Sequence, residues 1–247
     1  WQSVLPQDNA PASLITTLEA VVNITEPSLI SLTSHTIFFG VAVKVLEAIQ
    51  GAQSWSLGVA NGTMGDLAPH MINAARALMG PIERLSASVE TVHKIRAGTP
   101  VTNDDHAQMM CQFASGAQGH LYFSRVATGR KMGYAYEIHG TKGHIRFDQE
   151  DQNAFWLYTT EGPAEERGFR KILTGPAHPD YLPFCQGPGH GTGYQDQIII
   201  EAKDFLTAIT ENRSIWPTFE EGMEVNRIVT AALSSSAKQA WVNVADY

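Results

Sequence analysis

Apolar residues recur in two different rhythms along this chain, and the change of rhythm divides it. Between residues 65 and 81 the order is Gly-Asp-Leu-Ala-Pro-His-Met-Ile-Asn-Ala-Ala-Arg-Ala-Leu-Met-Gly-Pro. Asp66 is a good helix N-cap residue, Pro69 falls where amides lack a helical partner, and Gly80-Pro81 is a stop signal. The pattern predicts a helix of about four turns. Leu67, Met71, Ala74 and Leu78 then share one face, and Asp66, His70, Asn73 and Ala77 share another. The second face is a row of polar chemistry at a helix start.

Beyond this helix the period shortens to two. Segments 82–92, 107–114, 119–127, 134–139, 144–148, 155–160 and 169–173 alternate apolar and β-branched residues with polar ones, as half-buried strands do. Ala114-Ser115-Gly116-Ala117 and Gly140-Thr141-Lys142-Gly143 fit tight hairpin turns, so neighbouring strands are expected to pair antiparallel. Leu121 and Phe123 should face inward, and Tyr122 and Ser124 outward. Residues 175–193 form a long loop rich in Gly, Pro and His. It has neither the glycine spacing nor the lysine of a phosphate cradle.

Residues 194–210 read as an amphipathic helix with Ile198, Ala202, Phe205 and Ile209 on its apolar face. Thr218 is placed to cap a last helix over 219–240, and 241–244 closes with a short strand. Ahead of the central helix, 18–25 reads as a buried strand of the kind parallel sheets use, 39–50 as a helix, and 53–64 as loop. The fold class expected is α+β: an open, mostly antiparallel sheet backed by helices.

Composition narrows the function. The chain has 247 residues, enough for a substantial core, and a net charge of −8 with no basic stripe, which argues against a nucleic-acid surface. No apolar run approaches the length of a membrane span and no signal-like segment opens the sequence, so a soluble cytoplasmic protein is expected. Cys111 and Cys185 are the two cysteines, without Cys/His spacing for structural zinc, and no metal is assigned.

His70 is the residue with the most to offer. A histidine one turn after a carboxylate can take a proton from a hydroxyl and have its charged form stabilised, while Asn73 can hydrogen-bond a hydroxyl without titrating. The same residues also fit a plain helix cap and a tolerated surface histidine. His190 in the long loop either reaches a ligand or simply hydrogen-bonds at the surface. A metal-dependent hydrolase would need Asp66, His70 and His190 to converge.

The order of Gly-Asp-x-x-x-His-x-Ile, an apolar helix and Gly-Pro, then Tyr136-Glu137-Ile138-His139-Gly140-Thr141-Lys142-Gly143-His144-Ile145-Arg146-Phe147-Asp148-Gln149-Glu150, resembles the second domain of the glucose-fructose oxidoreductase / inositol dehydrogenase (Gfo/Idh/MocA) family. The loop 174–194 and the Trp216 to Gly222 helix entry are similar to a subgroup of it. The resemblance implies an NAD(P)-dependent oxidoreductase acting on a sugar or cyclitol hydroxyl, with NAD or NADP held by a preceding Rossmann domain. It places the catalytic pair on His70 (acid/base) and Asp66 (support), and substrate contacts on Asn73, His190 and Tyr194. Asn73 stands where the family commonly has Asp, which bears on substrate preference.

By the same resemblance, residues 1–51 are a remnant of the dinucleotide-binding domain with its connecting helix, and 52–247 the substrate-binding and oligomerisation domain. The Gly-x-Gly-x-x-Gly turn and a Glu-Lys-Pro are missing, so cofactor-binding residues stay unassigned. Either the sequence represents part of a longer enzyme or it is a truncated paralogue. The partners implied are a small sugar or polyol and further copies of the chain, as a dimer or tetramer through the sheet face, where Tyr122, Tyr134, Tyr136 and Trp156 would otherwise meet water. A non-catalytic carbohydrate-binding or regulatory paralogue is the alternative.

Overall fold

A computed structural model describes residues 62–187 and 189–247. The strand and helix expected over 18–25 and 39–50, and the proposed boundary at residue 51, lie outside the described residues. From residue 62 on, the chain divides into two units, one made of 62–126 with Glu201–Tyr247 and the other of Ala127–Ile200.

The first unit begins with two consecutive helical segments, α1 (Thr63–Asp66) and α2 (Ala68–Met79). Leu67 between them keeps right-handed helical backbone angles, so the helical register carries through. The helix therefore starts earlier than expected, taking Thr63 and Met64 out of the expected loop. The expected cap is also corrected. Asp66 ends the first segment, and Asp104 does the capping: its carbonyl accepts from the Thr63 amide at 2.9 Å and its carboxylate from the Met64 amide at 2.7 Å. Gly62 sits against Asp104 so closely that any Cβ would overlap the Asp104 carboxylate and carbonyl oxygen. At the other end the helix stops at Gly80 as expected, where φ is +89°, a value that favours glycine, and the Gly80 amide donates to the Arg76 carbonyl.

The inward stripe of these helices is Met64, Ala68 and Ile72, with Met71, Ala75 and Met79 beside it. Of the expected row, Met71 packs against this core and Ala74 is buried, whereas Leu67 and Leu78 are only partly buried and Ala68 and Ile72 take the inward places. Alanine and methionine occupy most of the helix circumference, so sequence periodicity alone cannot fix the angle.

Against the stripe lies an antiparallel sheet in the order β10-β1-β4-β5, from β1 (Ile82–Glu90), β4 (His106–Phe113), β5 (Gln118–Ser124) and β10 (Val242–Asn243). Its inner face presents Leu85, Ala107, Met109, Cys111, Phe113, Leu121 and Phe123, all buried. Tyr122 points the other way and is exposed, as the alternation predicts. The Phe113 amide donates to the Ala117 carbonyl, and Gly116 takes φ +85°, closing the expected hairpin. A short ribbon of β2 (Ile95–Arg96) and β3 (Thr99–Pro100) projects between β1 and β4. Its base is held by buried Asp105, which accepts from the Val92 and His93 amides and from Arg96 at 2.6, 3.0 and 2.9 Å.

The last helix of the chain, α4 (Phe219–Lys238), seals this core with Val225, Ile228, Val229, Ala231 and Ala232. Thr218 caps it, accepting from the Glu221 amide, as expected. The same helix finishes a sheet edge. Strand β10 pairs with β1 only at Arg84 and Leu85, and further along the edge the Ala87 and Val89 amides donate to the Ser235 and Ser236 hydroxyls at 3.0 Å each. Those amides would otherwise be unpaired edge donors.

The second unit is a four-stranded antiparallel meander: β6 (Ala135–His139), β7 (Gly143–Asp148), β8 (Ala154–Thr159) and β9 (Arg170–Leu173). The antiparallel pairing matches the expectation, but hydrogen bonding divides the strands into two four-stranded sheets instead of one. The expected 140–143 turn forms, with the Gly140 amide donating to the Gly143 carbonyl at 2.8 Å. After β9 the long loop is fastened by Asn153. Its main-chain carbonyl accepts from Thr174, and its side chain brackets Thr192, accepting from the amide at 2.7 Å and donating to the carbonyl at 3.1 Å.

Helix α3 (Tyr194–Glu211) follows. Its buried row is Gln197, Ile200, Glu201 and Ala208, not the expected Ile198, Ala202, Phe205, Ile209. Ile199, Leu206 and Ile209 are each at least half exposed. Two buried polar residues on the inner row are what misled the hydrophobic pattern.

Candidate active site

The residues with the strongest claim to chemistry sit where α1 passes into α2. Because helical geometry is kept through Leu67, Asp66, His70 and Asn73 remain one turn apart along the same side. Asp66 and His70 are half-buried, and Asn73 is fully buried.

Each of the two flanking polar groups is tied to a distant element. Arg125, directly after β5, donates from Nη2 to Oδ2 of Asp66, the two side chains being 45% and 29% exposed. This cation was not singled out in the sequence, since nothing local links positions so far apart. Asn73 donates from Nδ2 to Oε1 of Glu221 at 3.4 Å, while its Oδ1 is buried without a protein hydrogen-bond partner. Arg76, one turn nearer the helix end, grips the same carboxylate with both ends of its fork, at 2.8 and 2.9 Å. The hydrogen bond that Arg76 donates to Glu221 raises the Arg76 pKa above its ordinary value, against the opposing effect of burial. Glu221 thus serves as an anchor for α2, and was likewise not read from sequence.

A cavity of about 430 Å3 opens beside this anchor, lined by Arg76, Trp216, Thr218, Glu220, Glu221, Met223 and Glu224. Neither His70 nor Asp66 lines it. Its surface is mostly apolar, with three glutamates and one arginine among the lining residues.

The other two expected substrate residues belong to the second unit. His190 is exposed; its amide donates to the Gly187 carbonyl and its carbonyl accepts from the Cys185 thiol. Tyr194 is the first residue of α3 and is exposed as well. Cys111 and Cys185 are both buried free thiols. Burial pushes the Cys111 thiol up to about 11, so it is no nucleophile. Among the described residues no helix is long and apolar enough to cross a membrane.

The antiparallel sheets and the helix start carrying a carboxylate and an imidazole fit the substrate-domain resemblance read from the sequence. Comparison with known sequences agrees. The chain matches the model of the GFO/IDH/MocA C-terminal domain over residues 39–146. It is 37% identical over 202 residues to levoglucosan dehydrogenase of Pseudarthrobacter phenanthrenivorans, covering 74% of this chain and 52% of the relative. Inositol 2-dehydrogenase of Rhizobium meliloti is 24% identical over 189 residues, covering 74% of this chain and 50% of its own length. Among solved structures, a levoglucosan dehydrogenase complex with NADH and levoglucosan superposes with a TM-score of 0.71 at 39% identity, over 74% of this chain and 50% of that one. The chain spans about half the length of the curated relatives it matches.

Proposed function

We propose that this chain supplies the substrate-binding and proton-transfer part of an NAD(P)-dependent dehydrogenase acting on a sugar or cyclitol hydroxyl. The observation that carries the reading is the likeness to levoglucosan dehydrogenase across residues that include the Asp66–His70 helix start. His70 is the acid/base: neutral imidazole accepts the proton of a substrate hydroxyl, and the charged ring is stabilised by the carboxylate one turn before it. Arg125 fixes that carboxylate in place. Asn73, His190 and Tyr194 are assigned to substrate contact, Asn73 through a buried oxygen with acceptor capacity to spare.

The described residues do not fit the nucleotide. Every strand pair among them is antiparallel, whereas a dinucleotide fold needs parallel strands joined by a helix whose N-terminus faces the pyrophosphate. Contacts to NAD or NADP are therefore assigned outside them, and no residue here is given that role.

Self-association completes the proposal. The outer face of the first sheet carries Met110 and Tyr122, each at least half exposed, among polar side chains that include Ser86, Gln108 and His120, and we assign dimer or tetramer contacts to it. In the second unit Trp156 is exposed, but Lys171 already lies over its ring. A cytoplasmic setting suits the two buried free thiols.

The test is nicotinamide reduction by the protein with levoglucosan or inositol as substrate and NAD+ or NADP+ as oxidant. His70→Ala should lower kcat by roughly 10² to 10⁴ while leaving the fold intact. Unchanged turnover in that variant would overturn the assignment. Sugar binding by calorimetry with no turnover on either cofactor would instead favour the non-catalytic carbohydrate-binding paralogue.

A further inference from the structure

The β6–β7 hairpin carries a cluster that the proton-transfer site does not use. His139, at the end of β6, lies directly opposite His144 on β7, and Glu137 is two residues before His139 on the same face of β6. The sequence between them reads Glu-x-His-x-x-x-x-His across the Gly140–Gly143 turn. Oε2 of Glu137 stands 3.8 Å from Nε2 of His139 and 3.8 Å from Nε2 of His144. The three donor atoms lie within 4.8 Å of one another.

Three features set this group apart from an ordinary surface ion pair. Nε2 of His144 is buried and has no hydrogen-bond partner, on a side chain only 17% exposed, although a buried ring nitrogen normally finds one. The His144 ring packs edge-to-face with Phe169, with centroids 4.8 Å apart, which limits its rotation. Arg146 occupies the other oxygen of Glu137, Oε1, at 3.2 Å and leaves Oε2 aimed between the imidazoles. A carboxylate oriented by an outer partner is a common arrangement around metal ligands.

We propose that Glu137, His139 and His144 form a binding site for a borderline divalent transition-metal ion, of which Zn2+ is the representative. Two imidazoles and one carboxylate suit such an ion, and hard cations such as Mg2+ and Ca2+ prefer oxygen alone. Donor separations in a tetrahedral zinc site are about 3.3 Å, so small side-chain rotations of His139, 71% exposed, and of half-exposed Glu137 close the site. A solvent-facing fourth position remains for water or an outside ligand. The bound ion would tie β6 to β7 across their turn, in the second unit, through residues distinct from Asp66 and His70.

The experiment is a calorimetric titration of the untagged protein with Zn2+ alone, alongside histidine-selective NMR of the same sample. One equivalent should bind, and the ring signals of His139 and His144 should shift together before those of the other histidines. His144→Ala and Glu137→Gln should each weaken binding at least about tenfold, since each removes a ligand. Ring signals that do not move at millimolar Zn2+, or an affinity that neither substitution changes, would overturn the proposal. The NMR arm reads the wild-type protein and stands whether or not a variant folds.

Discussion

Arg125, the first residue after β5, reaches back to the carboxylate of Asp66 at the end of α1, joining positions 59 apart in sequence. The pair connects the start of the central helix to the sheet it packs on. It also means that the charge proposed to support His70 is already shared with a cation. The imidazole one turn on therefore meets a carboxylate whose position is fixed, with less negative potential than a lone aspartate would provide.

Both members of that pair are partly open to water, so its worth in stability is small. Arg125→Gln is expected to cost less than about 1 kcal/mol in urea denaturation. Its effect on the proposed reaction should be larger, because a released Asp66 side chain no longer holds one rotamer beside His70. A fall of about tenfold in kcat/KM with the unfolding midpoint nearly unchanged is the expected result, and Asp66→Asn should show the same split. Equal losses in stability and activity would mean that the pair is only a structural tie.

The Arg76–Glu221 pair differs in degree of burial, with each side chain only 12% exposed. Glu221→Gln removes the charge facing Arg76 and half of a two-point grip, while disturbing the group that Asn73 donates to. Removing one partner of an enclosed ion pair leaves the other uncompensated, and the expected loss is about 3 kcal/mol. Replacing both with apolar residues of similar volume, Arg76→Met with Glu221→Leu, should recover part of it. Chemical denaturation of the two variants against the wild type checks the ordering.

These pairs mark the limit of what the chain reveals by itself. Strands and turns were legible because their signals are local: Leu121 and Phe123 alternate with Tyr122, Gly116 permits a left-handed turn, and Thr218 stands just before Phe219. Asp66 looked like a cap because it precedes an apolar run, yet the capping oxygens come from Asp104, distant in sequence and brought there by the β3–β4 connection. The inner row of α3 was missed for a related reason. It includes Gln197 and Glu201, whose burial is set by tertiary surroundings, and Gln197 donates to the side chain of Gln152. Arg125 and Glu221 had no signal in any window, since long-range partners of single charges leave no period in the sequence.

Gly62 tests the capping arrangement. Any β-carbon there would collide with the backbone carbonyl as well as the carboxylate of Asp104, and the carbonyl cannot swing aside without breaking its bond from the Thr63 amide. Gly62→Ala is expected to destabilise by about 1–3 kcal/mol, as overpacking does. Asp104→Asn, which keeps the shape and an acceptor oxygen, should cost less than half as much. Thermal unfolding followed by circular dichroism compares them, and a Gly62→Ala protein as stable as the wild type would show that α1 is not pinned in this way.

Glu201 makes the first unit's stability depend on pH in an unusual direction. It is a carboxyl on the inner row of α3, and burial pushes its pKa up to about 8 from the ordinary glutamate range. The native state therefore holds a proton that the unfolded chain releases near pH 4.5. With the native state binding more protons across this window, stability falls as pH rises from about 4.5 to 8 and levels off above it. The contribution is present in full below the unfolded pKa and is lost through the folded one. Glu201→Gln, which stays neutral, should match the wild type at pH 5 and exceed it increasingly towards pH 8. Urea midpoints measured at half-unit intervals over that range would reveal the divergence, and parallel curves for the two proteins would show that Glu201 is ionised in the native state throughout.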